Sequence, residues 1–303
     1  MVASAGGTAL ALTLTLALAL ALVLPVGGAA AQPWVQRQPK TLVPRAHERI
    51  GFAELVELHA RKLGAWDRLA LVAGAEPIEP SVYLTLLPDR VLVWDDEVLP
   101  LARGVPAPAE LASCPPLCLP HLRDALSRAL FAEAARVRAA GARTPPRILL
   151  LADSRLPYRT FLAAAYSAAH ASVGGPPDLR LAVRTGSGGS KLGQIGFFLA
   201  PTHSVRVAEN ADPLLLQIAI EDSRYVVRAR RSWLPAAESA RTPSAVATLI
   251  GELKARDTTK TVVFVSAAGA APLGRVLELV APVRALFPGI TLGGLPRIVG
   301  PRE

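Results

Sequence analysis

Few residues in this chain stand in an arrangement that could do chemistry. Gly186-Ser187-Gly188-Gly189-Ser190-Lys191-Leu192 comes nearest to a phosphate cradle, because it follows an apolar run and carries a lysine. A Walker loop needs Gly before that Lys and Ser or Thr after it, and Ser190 and Leu192 hold those places. The dinucleotide pattern fails as well, since Lys191 stands where its last Gly belongs. The stretch therefore reads as a flexible Gly/Ser joint. No G-x-S-x-G elbow and no H-E-x-x-H occurs. His47, His59, His121, His170 and His203 lack ligand spacing and read as surface or cap residues. The expectation is a non-enzymatic protein with no catalytic residue, no metal and no cofactor.

Two cysteines and two other positions complete the candidates. Cys114 and Cys118 flank Pro115-Pro116. An extended polyproline conformation would set their Cα atoms about 12 Å apart, whereas a disulfide tolerates less than about 7 Å. Bridging needs a tight turn, so a clamp of the loop and two thiols both stay open. Asp153, just before Pro157, suits a helix cap or turn former, because a carboxylate is favourable beside a helix N-terminus; the other reading is a contact to a partner. Tyr158 reads as a half-buried anchor with its hydroxyl near water, or again as a partner contact. Asp95-Asp96-Glu97 and the cluster Arg228, Arg230 and Arg231 read as solvated surface, the latter also able to meet an anionic envelope polymer.

These side chains must be positioned by a body whose composition is informative. The chain has 303 residues, is 51% apolar, and holds four Trp, four Tyr and seven Phe. That excludes a disordered protein. Its net charge of +9 comes from arginines spread along the chain, unlike the clustered footprint of a nucleic-acid binder. No charged side chain precedes Arg37, and Ala9–Leu24 is an apolar run followed by Ala29-Ala30-Ala31-Gln32. Residues 1–31 are thus expected to be an export signal cut after Ala31, or an uncleaved membrane anchor. The body would lie in the periplasm, free or held at the inner membrane.

Residues 32–80 read as a linker with a short helix over 52–63, closed by Gly64. A hairpin follows at 82–94, a helix over 120–140, a buried strand at 147–152, a helix opened by Pro157, and a strand at 179–183. The same order returns: strands at 214–220 and 224–228, a helix from Thr242-Pro243, a strand at 261–266, a helix from Pro272 and a strand at 290–292. Sliding Pro157 onto Pro272 superposes strand, turn and helix, an internal duplication with a period of about 115–135 residues. The predicted fold is α+β: two tandem two-layer domains of β-β-α-β-α-β type, at 81–185 and 211–298, each a small mixed sheet with helices on one face. Residues 186–210 would be linker, with a hairpin over 195–207.

The block Arg147-Ile-Leu-Leu-Leu-Ala-Asp153-Ser-Arg-Leu-Pro-Tyr158, closing near Leu179-Arg-Leu, resembles the ExbD/TolR family of biopolymer-transport proteins. The likeness covers 82–184 and, more faintly, 214–293, where Asp153 and Tyr158 correspond to Ala268 and Leu273 and Pro282 interrupts the helix. It implies a single-span envelope protein that dimerises through its periplasmic domain and works with an ExbB/TolQ-type proton-channelling subunit. The family's relay Asp inside the spanning helix has no counterpart before Arg37, so the resemblance implies an accessory role without the proton step. Expected partners are such a membrane subunit, another envelope protein, a second copy of the chain or peptidoglycan, met through a sheet edge or a free face. The alternative is a secreted module that binds cell wall or a small ligand between its domains.

Overall fold

The computed structural model describes residues 51–112, 117–139, 141, 147–171, 176–200, 205–206, 216–229, 233–259, 261–293 and 298–299. The leader with its cleavage site, Cys114, His47, His203, Arg230 and Arg231 lie outside them. Among the described residues no helix is long and apolar enough to cross a membrane.

Helix α1 (Phe52–Lys62) ends as Gly64 demands. With Gly64 at φ +64°, its N–H reaches the Arg61 carbonyl and the Ala65 N–H the Ala60 carbonyl, a Schellman closure. Strands β1 (Val82–Leu86), β2 (Arg90–Val93) and β3 (Asp96–Pro100) form a meander. A short helix α2 (Pro108–Ala112) and a long one, α3 (Pro120–Ala139), lead to β4 (Arg147–Ala152); α4 (Tyr158–His170) then returns the chain to β5 (Asp178–Thr185), and β6 (Lys191–Gly196) follows. The sheet order is β3-β2-β1-β4-β5-β6, with β1, β4 and β5 parallel.

Alternation along these strands sends side chains to two faces, and helices cover both. Val82, Leu84, Leu86, Ile148 and Leu150 share a core with Leu122, Leu126 and Leu130 of α3 and Phe161 of α4. On the other face Tyr83, Leu149, Leu151 and Ala182 meet Val56 and Ala60 of α1, one turn apart, with Trp66 and Leu69. Each large apolar side chain so buried contributes roughly 1.5–3 kcal/mol. The first sheet is therefore not covered on one face only, and part of the expected 32–80 linker is its second layer.

The second copy repeats the plan. After β7 (Phe198–Leu199) and β8 (Val205–Arg206) come β9 (Gln217–Ile220), β10 (Tyr225–Arg228), β11 (Glu238–Ala240), helix α5 (Pro243–Arg256), β12 (Val262–Ala267), α6 (Leu273–Arg284), β13 (Gly289–Leu292) and β14 (Ile298–Val299). Its order is β11-β10-β9-β12-β13-β7, while β8 and β14 pair in a separate two-stranded ribbon. Leu84 opposes Leu150 as Ile218 opposes Val265, and Leu86 opposes Val91 as Ile220 opposes Tyr225. Thr242 caps α5, its hydroxyl oxygen accepting from the Ala245 N–H at 3.2 Å. The architecture is thus α+β with two mixed six-stranded sheets in tandem.

Four expectations need correction. Each copy adds a third meander strand, β3 or β11, so the order they share is β-β-β-α-β-α-β, with the short α2 additional in the first copy. Gly186–Ser190 is not a flexible joint: Gly186, Gly188 and Gly189 at φ +82°, +65° and +72° make the tight turn between antiparallel β5 and β6. Among the described residues of 195–207 no hairpin is present: β6 closes the first sheet and β7, one residue later, pairs in parallel with β13 of the second. Pro282 lies inside α6 without ending it: the helix runs on to Arg284, so the i−4 bond that the proline forgoes falls near its end and does not break it. One buried cluster runs through both copies, from Leu84 and Phe161 to Val265 and Phe287.

Candidate functional site

The most distinctive geometry lies where the loops after β4 and β12 meet. Pro157 and Pro272 are the N-caps of α4 and α6 and face one another across an antiparallel bridge. The first N–H groups of a helix have no partner within it, and here each copy supplies them to the other. Tyr158 N–H donates to the Ala271 carbonyl and Leu273 N–H to the Leu156 carbonyl, both at 2.8 Å; Arg159 N–H donates to the Gly269 carbonyl and Gly274 N–H to the Ser154 carbonyl, at 3.0 and 2.6 Å. The four bonds exchange in pairs when the copies are swapped, so the junction has local two-fold symmetry. Its side chains are unlike. A Cβ on Gly269 would sit 3.3 Å from the Arg159 Cβ, and one on Gly274 3.2 Å from the Ser154 oxygen, so the glycines of the second copy make room for the larger residues of the first.

Tyr158 is a contact between copies. It is 1% exposed rather than half-buried, and its hydroxyl donates to the Val265 carbonyl at 3.3 Å and accepts from the Gly293 N–H at 2.9 Å. Burial pushes its pKa up, so the hydroxyl stays protonated. Tyr166, two turns on, donates to the Ala200 carbonyl. The apolar strand–Pro–Tyr pattern announced a helix start but not that its first side chain would enter the other copy.

Asp153 closes the strand before this loop and does not cap α4. Its carboxylate is wholly buried; Oδ1 accepts from the Arg155 N–H at 2.9 Å and from Arg155 Nε at 3.1 Å, while Oδ2 accepts from Arg155 Nη2 at 2.9 Å and Arg68 Nη1 at 3.4 Å. Burial alone would raise its pKa, but the side-chain and backbone hydrogen bonds of Arg155, followed by the charges of Arg155 and Arg68, hold it below the usual carboxylate value. Asp153 thus shapes the turn locally, its Oδ1 accepting from the N–H two residues on. Asp153 and Tyr158 do not share a site: one orders guanidiniums, the other fills the junction core. Arg155 lies within the motif, whereas Arg68 lies 85 positions away and no local signal points to it.

His59 departs from the surface reading. It is buried, with Nδ1 2.8 Å from Asp95 Oδ1 and Nε2 3.2 Å from Thr85 Oγ1, which makes Nδ1 the donor to Asp95 and Nε2 the acceptor from Thr85. Burial lowers its pKa more than Asp95 raises it. The connectivity is that of an acid–base–hydroxyl relay, yet Thr85 is 0% exposed within β1, so no substrate reaches the hydroxyl. The relay pins α1 to the sheet. Asp95 is therefore a partner of His59 rather than only solvated surface. Cys118 is buried, and its pairing partner in the sequence reading lies outside the described residues. Among the described residues no group of three or more His, Cys, Asp or Glu is placed to hold a metal ion.

The outer sheet edges are blunt. β3 carries Asp96, Glu97 and Pro100 with a register shift, and β11 is three residues long. Charges, proline and short length discourage strand addition at these two edges. No family model matches the chain, and no curated protein does so.

Proposed function

We propose that the chain is a non-enzymatic envelope protein, similar to the periplasmic part of an ExbD/TolR complex, in which the pairing of two domains is made within one polypeptide. The reciprocal junction at Pro157 and Pro272 carries this reading. A family resemblance that implies dimerisation is met by two like-ordered sheets whose loops cap each other's helices, so a second chain is not needed to complete the pair. The absence of an ionisable side chain before Arg37 supports an accessory role, since an intramembrane carboxylate is what marks a proton path. The protein would present fixed surfaces to an ExbB/TolQ-like membrane subunit or another envelope component.

Detergent solubilisation and co-purification from a cell envelope test this. Recovery with a polytopic channel-type subunit is the expected result. Retention on isolated peptidoglycan with no membrane partner would replace the reading with that of a cell-wall-binding module. The N-terminal residue of the mature protein decides its attachment: Met1 means a tether and Gln32 a free periplasmic protein.

A further inference from the structure

The duplication supplies an internal control on the Asp153 cluster. Both copies build the same strand-to-helix turn, with a proline N-cap and the same outgoing backbone bonds. The second does so with Ala268-Gly269-Ala270 where the first has Asp153-Ser154-Arg155. The turn therefore forms in the second copy without a charged group of its own. A buried carboxylate is costly unless it is well paired, so its presence in one copy alone indicates a role beyond the turn.

Part of that role is local, because Asp153 binds Arg68 and thereby the short turn Trp66–Arg68 that follows α1. Arg155 serves no such purpose. Its Nε and Nη2 are locked on Asp153 while its side chain stays 60% exposed. One edge of the guanidinium is fixed and the rest faces water. Arg68, 42% exposed, shares Oδ2, and the exposed Arg159 lies four residues further along the chain, in the first turn of α4. Among the described residues Asp153 is the sole acid paired with Arg68 and Arg155, and no ion pair involves Arg159. Two guanidiniums thus share one carboxylate, which leaves this loop with a surplus of positive charge.

We propose that this face receives an acidic segment of a protein partner, with Arg155 as the preorganised fork for a carboxylate and Arg68, held on the same Asp153 oxygen, beside it. A guanidinium held in place loses less freedom on binding a planar carboxylate. The loop offers no apolar wedge for a bilayer, since Leu156 and Tyr158 are each 1% exposed. The inference rests on the reading of the chain as a partner-binding envelope protein and adds the partner's chemistry.

Fluorescence anisotropy of the full chain with a labelled twelve-residue peptide alternating Glu and Ala tests it, with Lys in place of Glu as the control peptide. The Glu peptide binds, more weakly as salt rises. Arg155→Ala raises its Kd about tenfold, the value of one charge-assisted pair; Arg155→Glu abolishes binding, and Arg155→Lys, which keeps charge without the fork, lies between. Arg228→Glu, the same charge change on β10, leaves affinity unaltered. Equal affinity in wild type and Arg155→Glu overturns the proposal, as does an equal loss in Arg155→Glu and Arg228→Glu. So does Arg155-dependent binding of anionic phospholipid vesicles in place of the peptide. Should Arg155→Glu fail to fold, Arg155→Lys decides alone. A membrane subunit that co-purifies undiminished with Arg155→Glu sinks this site and spares the functional reading; peptide binding without any such subunit does the reverse.

Discussion

Tyr158→Phe and Tyr158→Ala weigh the junction between the copies. In the Tyr158→Phe variant the hydroxyl's two bonds vanish, but the Gly293 N–H still reaches the Val265 carbonyl at 3.2 Å, so neither group is orphaned. The loss is about one net hydrogen bond, about 1 kcal/mol, or a fall in Tm of about 2–4 °C for a chain of this size. Tyr158→Ala also removes a ring that is 1% exposed and leaves a cavity, at about 3–5 kcal/mol. Tyr158→Leu, which installs the residue type of the second copy, falls between. Urea unfolding followed by circular dichroism measures all three, with an unchanged m value confirming that the same surface unfolds. If the Phe and Ala substitutions both cost less than about 0.5 kcal/mol, as at a half-exposed surface position, the side chain is not buried between the copies.

Gly274→Ala places a methyl 3.2 Å from the Ser154 oxygen and costs about 1–3 kcal/mol by overpacking, whereas Gly251→Ala, inside α5 with only Leu286 Cδ1 at 3.7 Å, gains about 0.5–1 kcal/mol; thermal unfolding separates the two. The folded pKa of Asp153 is depressed, so its contribution is present above the ordinary carboxylate value and is lost as pH falls through the lower folded value. Asp153→Asn flattens that acid limb in unfolding free energy measured against pH. His59 is lowered from 6.5, so its contribution is complete above that value and declines as pH falls below it; His59→Gln removes the slope. Thr242→Ala deletes the cap of α5 and costs about 1 kcal/mol by chemical denaturation.

Most elements were legible because periodicity and punctuation agree. Thr242-Pro243, Gly64 and the run Arg147–Ala152 each carry one local signal, and the structure uses each as read. What escaped detection depends on long-range pairing. β3 begins in Asp96-Glu97, residues depleted in strands, and is a strand because it is an edge whose charges face water. Gly186–Ser190 has a linker's composition, yet its positive φ angles are those of a turn. The pairing of β7 with β13 joins residues in different halves, and no local pattern encodes it. At the site, Asp153 and Tyr158 stood out in the sequence and Arg155 did not, although it lies between them, while Arg68, and the burial of His59 beside Thr85, arise only when α1 packs on the first sheet.

Native-state hydrogen exchange of the Tyr158, Arg159, Leu273 and Gly274 amides tests the paired architecture most directly. All four should be protected together, close to the free energy of global unfolding, although they begin two helices whose first turns would otherwise fray. Exchange of these amides at rates typical of open helix ends, with the helix interiors still protected, would show that the two copies do not cap one another.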